Sequence, residues 1–544
     1  MVDLAKNLPV TWVVDPDLLA TVEAMTKGYR VAGPGGDVTH STPGTGAALA
    51  TQWLNALRGA VTGDEVIALP FGDTDLASLA HNGLHVPGSV AGLKTATQLG
   101  QVTVGTILGI KPTSGVGWPV DGAIDPSIVA AAKAGGDDRI IARSDHFPEN
   151  TLEYTPTAAR PVSGMTAVVA DSSLSTAFSG DMLNAQASDQ AVQSFVAQTL
   201  LITMQAPEKQ RTLLVAPQRR PTVSQAQAMA EAIRTVDDDG SRWSQTVDFG
   251  TAASAHADSR VSHRVPAAAS YPKALRAREL PASAFRQLRT DQDRVNEFVV
   301  ILTIKDRVSV PFRNAEMRAM STGWRPDPSG GSSPGGGPDA KSYLDAIGVY
   351  FTDLINAVHI IDKKTALTLS GRSGTIPVTV KNELSQPITG LVLRLTSSTN
   401  IRLEIKNPDQ PISIDGGHTR TLKFQTKASA NGAVWVNAAL YGPDGRIYGS
   451  SGIQFEIKVT KVTDLVMLII AGGLLLLVLA GVRIYRQRKR QAASDGGGDD
   501  GAGGGEGSDT EEEDGGDPGH PGDPVADTGQ ESPEPSPAGE KVDG

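Results

Sequence analysis

Carboxylates recur in this sequence just after short apolar runs. Asp15 and Asp17 follow VTWVV, Asp73 and Asp75 follow VIALPFG, and Asp145 and His146 follow RIIARS. Asp171 follows AVVA and Arg219 follows LLVAPQ. In an α/β barrel the working side chains sit at the C-terminal ends of the strands. Asp15, Asp73 and Asp75 are therefore the candidate catalytic residues, Asp15 first among them, with Asp171 and Arg219 as candidate ligand contacts. Carboxylates gathered at one barrel mouth can act as acid and base on a glycosidic bond or hold a metal for hydrolysis. The plainer reading is that an Asp after a strand caps the next helix. Asp73 and Asp75, before LASLA, fit that role, and Asp73 is the expected N-cap.

His81 and His85 form HNGLH, an i,i+4 pair that could bind a metal on a helix. With Asp15 and Asp17 it resembles the Asp-rich strand end and HxxxH of carbohydrate deacetylases. Gly83 stands between the two histidines and the segment reads as a helix end, so a solvated pair is expected and no metal site is assigned. There is no GxSxG for a serine nucleophile and no GxGxxG or Walker A loop for a nucleotide, so no cofactor is expected. Trp12, Trp118 and Trp243 could stack on sugars. Trp12 alternates within a strand and reads as core, whereas Trp118, in the loop GVGWP, is the candidate ligand-binding aromatic.

The elements that must position these residues fall into blocks. Residues 1–250 alternate short apolar runs with helical patterns. Val10 to Val14, Val66 to Leu69, Val102 to Leu108, Arg139 to Ala142, Thr166 to Ala170 and Thr212 to Ala216 read as strands. Pro126 to Ala134, Asp189 to Met204 and Val223 to Val236 read as helices. That alternation indicates βαβ units and a (β/α) barrel-like domain truncated at its N-terminus, with a doubly wound open sheet as the alternative. Residues 251–361 read as helical, with Ser283 to Thr303 and Tyr343 to Ile361 apolar on one face and a Pro/Gly/Ser linker at 326–338. Residues 362–460 change to short alternating runs separated by turn signals such as Ser385-Gln386-Pro387 and Asp444-Gly445. Their spacing indicates an immunoglobulin-like β-sandwich.

Leu465 to Val482 is an uncharged apolar stretch of 18 residues, long enough as a helix to cross a bilayer. Asp464 precedes it, and Arg483, Arg486, Arg488, Lys489 and Arg490 follow. Basic residues stay on the cytoplasmic side. The expectation is one transmembrane helix at 462–483, a basic stop at 484–493 that meets anionic lipid, and an exterior N-terminal bulk in a single-pass protein of the cell membrane. Ser494 to Gly544 carries 16 Asp and Glu against one Lys, so residues 1–493 carry a net charge of +4 although the whole chain carries −11. That near-neutral bulk gives no electrostatic argument for nucleic acid. The acidic end, rich in Gly and Pro, reads as a disordered cytoplasmic tail. There is no cysteine, so stability comes without disulfides. The opening MVDLAKNLPVTWVVDPDLL has no signal-peptide h-region, so the natural beginning of the chain is expected to lie upstream.

The stretches WVVDPDLL, ALPFGDTDLASLA, RTLLVAPQRR, FRNAEMRAMSTGWR and SGTIPVTVKNELSQPI resemble an uncharacterised family of alanine-rich membrane proteins from the envelope of high-GC Gram-positive bacteria. The resemblance runs from residue 8 to the apolar stretch. It implies envelope work beside a flippase-like membrane protein of peptidoglycan-precursor export. It also implies a signal peptide and an extra N-terminal region. Asp15, Asp73 and Asp75 match its motifs but inherit no role, because the family has no established reaction, and HNGLH is not one of its hallmarks. The expected function is binding of an envelope glycan or a membrane partner. The alternatives are a carbohydrate-active hydrolase, a glycosidase or a deacetylase, and a scaffold for envelope-synthesis proteins.

Overall fold

The computed structural model describes all residues except 34–36, 38–39, 148–151, 238–242, 327–339, 363–365, 450–451, 461–463 and 492–544. The acidic tail at 494–544 and all but Pro326 of the linker at 326–338 lie outside the described residues. Met1–Val462 forms one compact unit and Thr463–Gly544 a second.

In the first unit, short strands β1 (Trp12–Val14), β2 (Val66–Ala68), β3 (Val116–Gly117), β4 (Arg139–Arg143), β5 (Ala159–Val162) and β6 (Met165–Ala170) make two curled sheets. β1 pairs with β2, and the other sheet has the order β3-β4-β6-β5. All pairings are parallel except the β5–β6 hairpin. Parallel bridges at Ile67–Thr113 and Ala170–Leu214 extend the run at both joints. Apart from β5, which folds back as a hairpin on the far side of β6, neighbours in each sheet follow one another in sequence. Side chains alternate between the two faces of each strand. Ile67, Val116, Ile141 and Val168 meet inside the curl, where Phe249 closes one end. Val14, Val66 and Ala68 face outward, against helices. The result is a half-barrel arrangement, and no hydrogen bond joins the Leu214 segment to β1 among the described residues.

The helices that cover the sheets begin on polar caps. Asp15 caps α1 (Pro16–Thr26), and Asp125 caps α4 (Pro126–Gly135) with Pro126 at the first helical position, where its missing N–H costs nothing. Between them lie α2 (Ala47–Ala60) and α3 (Ser89–Leu108). The expected strand Val102–Leu108 is the last two turns of α3. Its VTV run favours a strand locally, but Leu93, Ala96, Gly100, Val104 and Ile107 are buried along one helical face, and burying that face decides the conformation. The expected strand Thr212–Ala216 is reduced to the single bridge at Leu214. Further on come α5 (Ala185–Gln205), α6 (Val223–Asp237), α7 (Ala282–Val299), α8 (Asp306–Ala319) and α9 (Ala340–Asn356). The expected helix Tyr343–Ile361 ends at Asn356, and Val358–Ile360 is strand β7.

Beyond it two sheets share one core. Their strands are β8 (Leu367–Ser370), β9 (Ser373–Asn382), β10 (Ile388–Ser397), β11 (Leu403–Ile405), β12 (Asp409–Ile414), β13 (Thr419–Ala428), β14 (Gly432–Tyr441) and β15 (Ile453–Thr460). The sheet orders are β8-β15-β14-β10-β12 and β11-β13-β9-β7. Alternate residues such as Ile376, Val378 and Val380 of β9 and Leu391, Leu393 and Leu395 of β10 fill the space between them. Asn382, fully buried, fastens one corner by donating to the Gln386, Ile414 and Asp415 carbonyls at 2.9, 3.2 and 3.1 Å.

The second unit contributes α10 (Asp464–Gln491). Within it Leu468–Arg486 has a mean hydropathy of 2.3 and is long and apolar enough to cross a membrane.

Candidate functional site

The C-terminal ends of the parallel strands open on a cleft of about 750 Å³. Trp118, after β3, and Arg143, at the end of β4, line it, together with Ala170, at the end of β6, and the Ala216–Arg220 segment. Its far wall comes from Arg278 and the Thr322–Pro326 segment. That wall is anchored by backbone pairing with the loop after β2. The Asp75 amide donates to the Met320 carbonyl at 2.8 Å and the Thr322 amide to the Asp73 carbonyl at 2.9 Å.

The structure brings Trp118 and Arg219 together in this cleft, whereas Asp15, Asp73, Asp75 and Asp171 do not line it. Asp73 takes φ +46°, and its carboxylate accepts from Arg219 Nε at 2.9 Å, Arg219 NH2 at 3.2 Å and Thr322 Oγ1 at 2.6 Å. Asp75, and not the expected Asp73, is the helix cap. Its Oδ1 accepts from the Ser78 amide at 3.0 Å, opening Leu76–Ser78 and the π-turn Leu79–Gly83. Asp75 also grips Arg325 through two bonds of 2.6 and 2.8 Å, with side-chain exposures of 1% and 4%. Burial weakens the Arg325 charge, but the Asp75 carboxylate outweighs it and raises the guanidinium pKa. Asp17 pairs in the same way with Arg318 of α8, whose pKa is raised chiefly by that bond.

Asp15 accepts from the Asp17 and Gly72 amides at 2.9 and 3.1 Å. Burial pushes its carboxyl up to about 7, with the Asp73 and Asp17 carboxylates adding to the rise against those two bonds. Asp171 caps Ser172–Thr176 by accepting from the Leu174 amide at 2.9 Å and borders a separate cavity of about 310 Å³. Asp145 holds Arg143 through bonds of 2.8 and 2.9 Å.

Trp118 rests against the strand interior, and the Arg219 guanidinium lies 4.4 Å above its ring. That stacking turns the cleft floor into a cation–π surface in place of an open sugar platform. Of the other expected aromatics, Trp12 Nε1 donates to Asp64 at 3.0 Å and Trp243 Nε1 to Thr199 at 3.2 Å.

His81 belongs elsewhere. Its Nε2 meets Asp125 at 2.9 Å and its Nδ1 meets Glu279 at 2.7 Å, all three side chains nearly fully buried. Burial alone would lower its pKa, but the two carboxylates raise it, so the ring is clamped between two acids that favour its charged form. Among the described residues no group of three or more His, Asp or Glu could hold a metal ion.

Of the arginine partners of Asp17, Asp73 and Asp75, Arg219 is a candidate from the sequence, whereas Arg318 and Arg325 were missed there. The available signal was charge complementarity between two Asp-bearing stretches, WVVDPDLL and ALPFGDTDLASLA, and two Arg-bearing ones, RTLLVAPQRR and FRNAEMRAMSTGWR.

Among solved structures, the alpha-amylase AmyC from Thermotoga maritima is similar at 10% identity and a TM-score of 0.39, covering 65% of this chain and 86% of that one. A GH57 branching enzyme from Thermococcus kodakaraensis is similar at 12% identity and a TM-score of 0.42, covering 57% of this chain and 70% of that one. The C. elegans MSP family member WR4 is similar at 9% identity and a TM-score of 0.15, covering 19% of this chain and 98% of that one. Likenesses at these scores carry no argument about activity. No curated relative matches the chain. A family model matches residues 4–496, and the chain therefore belongs to the family of unknown function DUF6049.

Proposed function

We propose that this chain is a single-pass cell-envelope protein whose exterior bulk binds an envelope glycan in the strand-end cleft without cleaving it. One observation carries the choice of binding over catalysis. Asp121 is the one carboxylate among the residues lining the cleft, whereas five arginines line it. Glycoside hydrolysis in most families needs two carboxyl groups flanking the scissile bond, roughly 5–10 Å apart. Here Asp73 and Asp75 neutralise arginines and Asp15 is turned onto backbone amides, so the hydrolase alternative lacks its pair.

The membrane part of the reading is supported by the apolar span of α10 and the basic residues after it; under the positive-inside rule these favour an exterior N-terminal bulk. The immunoglobulin-like sandwich then acts as a stalk for the barrel-like part. A flippase-like protein of peptidoglycan-precursor export fits as its membrane partner.

The test uses the full chain in detergent with peptidoglycan and arabinogalactan fragments, reading saturable binding and reducing-end release together. Saturable binding with no release is expected. Release that disappears in Asp15→Asn would establish the hydrolase instead.

A further inference from the structure

The cleft holds more positive charge than its acids neutralise. Arg143, Arg219 and Arg325 are each matched by a bidentate carboxylate, from Asp145, Asp73 and Asp75. Arg220 and Arg278 line the same cleft, and neither has a carboxylate partner among the described residues. Arg220 reaches toward Gly323, where a Cβ would stand 3.9 Å from its NH2. Arg278 spends Nε and NH1 on long bonds of 3.3 and 3.4 Å to the Ala274 and Pro326 carbonyls. The remaining charge, Asp121, lies in the field of Arg143 and contributes to raising its pKa.

A second feature of the wall is an acceptor without a donor. Gln218 Nε2 donates to the Phe178 carbonyl at 3.3 Å, which fixes the amide, while its Oε1 is buried and finds no donor among the described residues. An unmatched buried acceptor is destabilising, and a ligand hydroxyl reaching it would remove that cost. Guanidinium forks match the oxygens of phosphate and carboxylate.

Resting on the glycan-binding reading, we infer that the ligand is an acidic sugar: its phosphate or carboxylate lies between Arg220 and Arg278, and one of its hydroxyls donates to Gln218 Oε1. The other three arginines stay with their aspartates and shape the cleft. Because Arg220 is exposed and neither arginine has a carboxylate partner among the described residues, both are available without breaking an ion pair seen there.

Calorimetric titration of the full chain in detergent tests this, with glucose 1-phosphate, glucuronate and glucose as probes. Both acidic sugars should bind at least tenfold more tightly than glucose, and more weakly as salt rises. The tighter of the two shows whether the natural acid is a phosphate or a uronate. Arg220→Gln/Arg278→Gln should lose at least tenfold in affinity for the acidic sugars and melt within about 1 °C of wild type, since neither side chain holds a buried partner. Unchanged affinity in that variant, or acidic sugars that bind no better than glucose, would overturn the inference. Neutral envelope oligosaccharides that bind wild type and variant alike would also overturn it while leaving the glycan reading in place. Arginine-dependent binding of the acidic sugars with no affinity for any envelope glycan fragment would uphold the anion site and refute that reading.

Discussion

Replacing Asp75 by Asn should expose how much the cleft wall depends on its buried ion pair. Asn retains Oδ1, so the bond from the Ser78 amide can survive, while the bond from the Ser78 hydroxyl to Oδ2 is given up together with the charge. What is lost is the carboxylate that meets Arg325 at 2.6 and 2.8 Å, with both side chains at or below 4% exposure. Leaving one partner of a buried pair uncompensated costs about 3–5 kcal/mol. At about 2.1 cal/mol/K of unfolding entropy per residue, the Met1–Val462 unit converts each kcal/mol into only about 1 °C of melting temperature. Asp75→Asn and Arg325→Gln should therefore each lower the Tm of the detergent-solubilised chain by about 3–5 °C. The double variant, with no stranded charge, should fall short of the summed losses by about 2 °C or more. Differential scanning fluorimetry of the four proteins gives the cycle. Single variants within 1 °C of wild type, or strictly additive losses, would refute the view that this pair fastens the wall.

Three further outcomes follow from buried groups. His81 has a raised folded pKa, so its stabilisation is fully present below about pH 6.5 and is lost as pH rises through the folded value. The wild-type Tm should fall on that alkaline limb and His81→Gln should flatten it; parallel pH profiles would contradict the clamp. Asp137 is 4% exposed, and neither of its oxygens has a hydrogen-bond partner among the described residues. Burial pushes it up to about 7, with Asp138 contributing. Its contribution is lost between about pH 4 and 7, on the order of 4 kcal/mol, so Asp137→Asn should melt higher than wild type at pH 8 and gain nothing at pH 4. Gly100 lets α3 touch the Leu69 carbonyl, which a Cβ would strike. Gly100→Ala should cost about 1–3 kcal/mol, read as a Tm loss of about 1–3 °C, and an unchanged Tm would show that the helix can shift.

Much of the architecture was legible because burial imposes a period. The strands of 362–460 alternate buried and exposed residues, as β9 and β13 do, and their Asx-Gly and Pro turns mark the ends. Where local preference and burial disagreed, local preference misled. Val102–Leu108 looks like a strand residue by residue, yet its buried positions follow the helical face begun at Leu93. Asp73 and Asp75 are both plausible caps in sequence. Only the positive φ at Asp73 and its pairing with Arg219 separate their roles. The candidate carboxylates were found in their correct places at strand ends, but their partners lie 146, 250 and 301 residues away. A single sequence carries no local signal for such pairs, so a mouth of acids becomes, once folded, a mouth of arginines.

Native mass spectrometry of the full chain after prolonged incubation with one defined acidic envelope oligosaccharide tests binding without cleavage in a single reading. The expected result is an adduct heavier by the mass of the intact oligosaccharide, with the free oligosaccharide still full length. Shortened oligosaccharide in the free pool, or no adduct at any concentration, would contradict it.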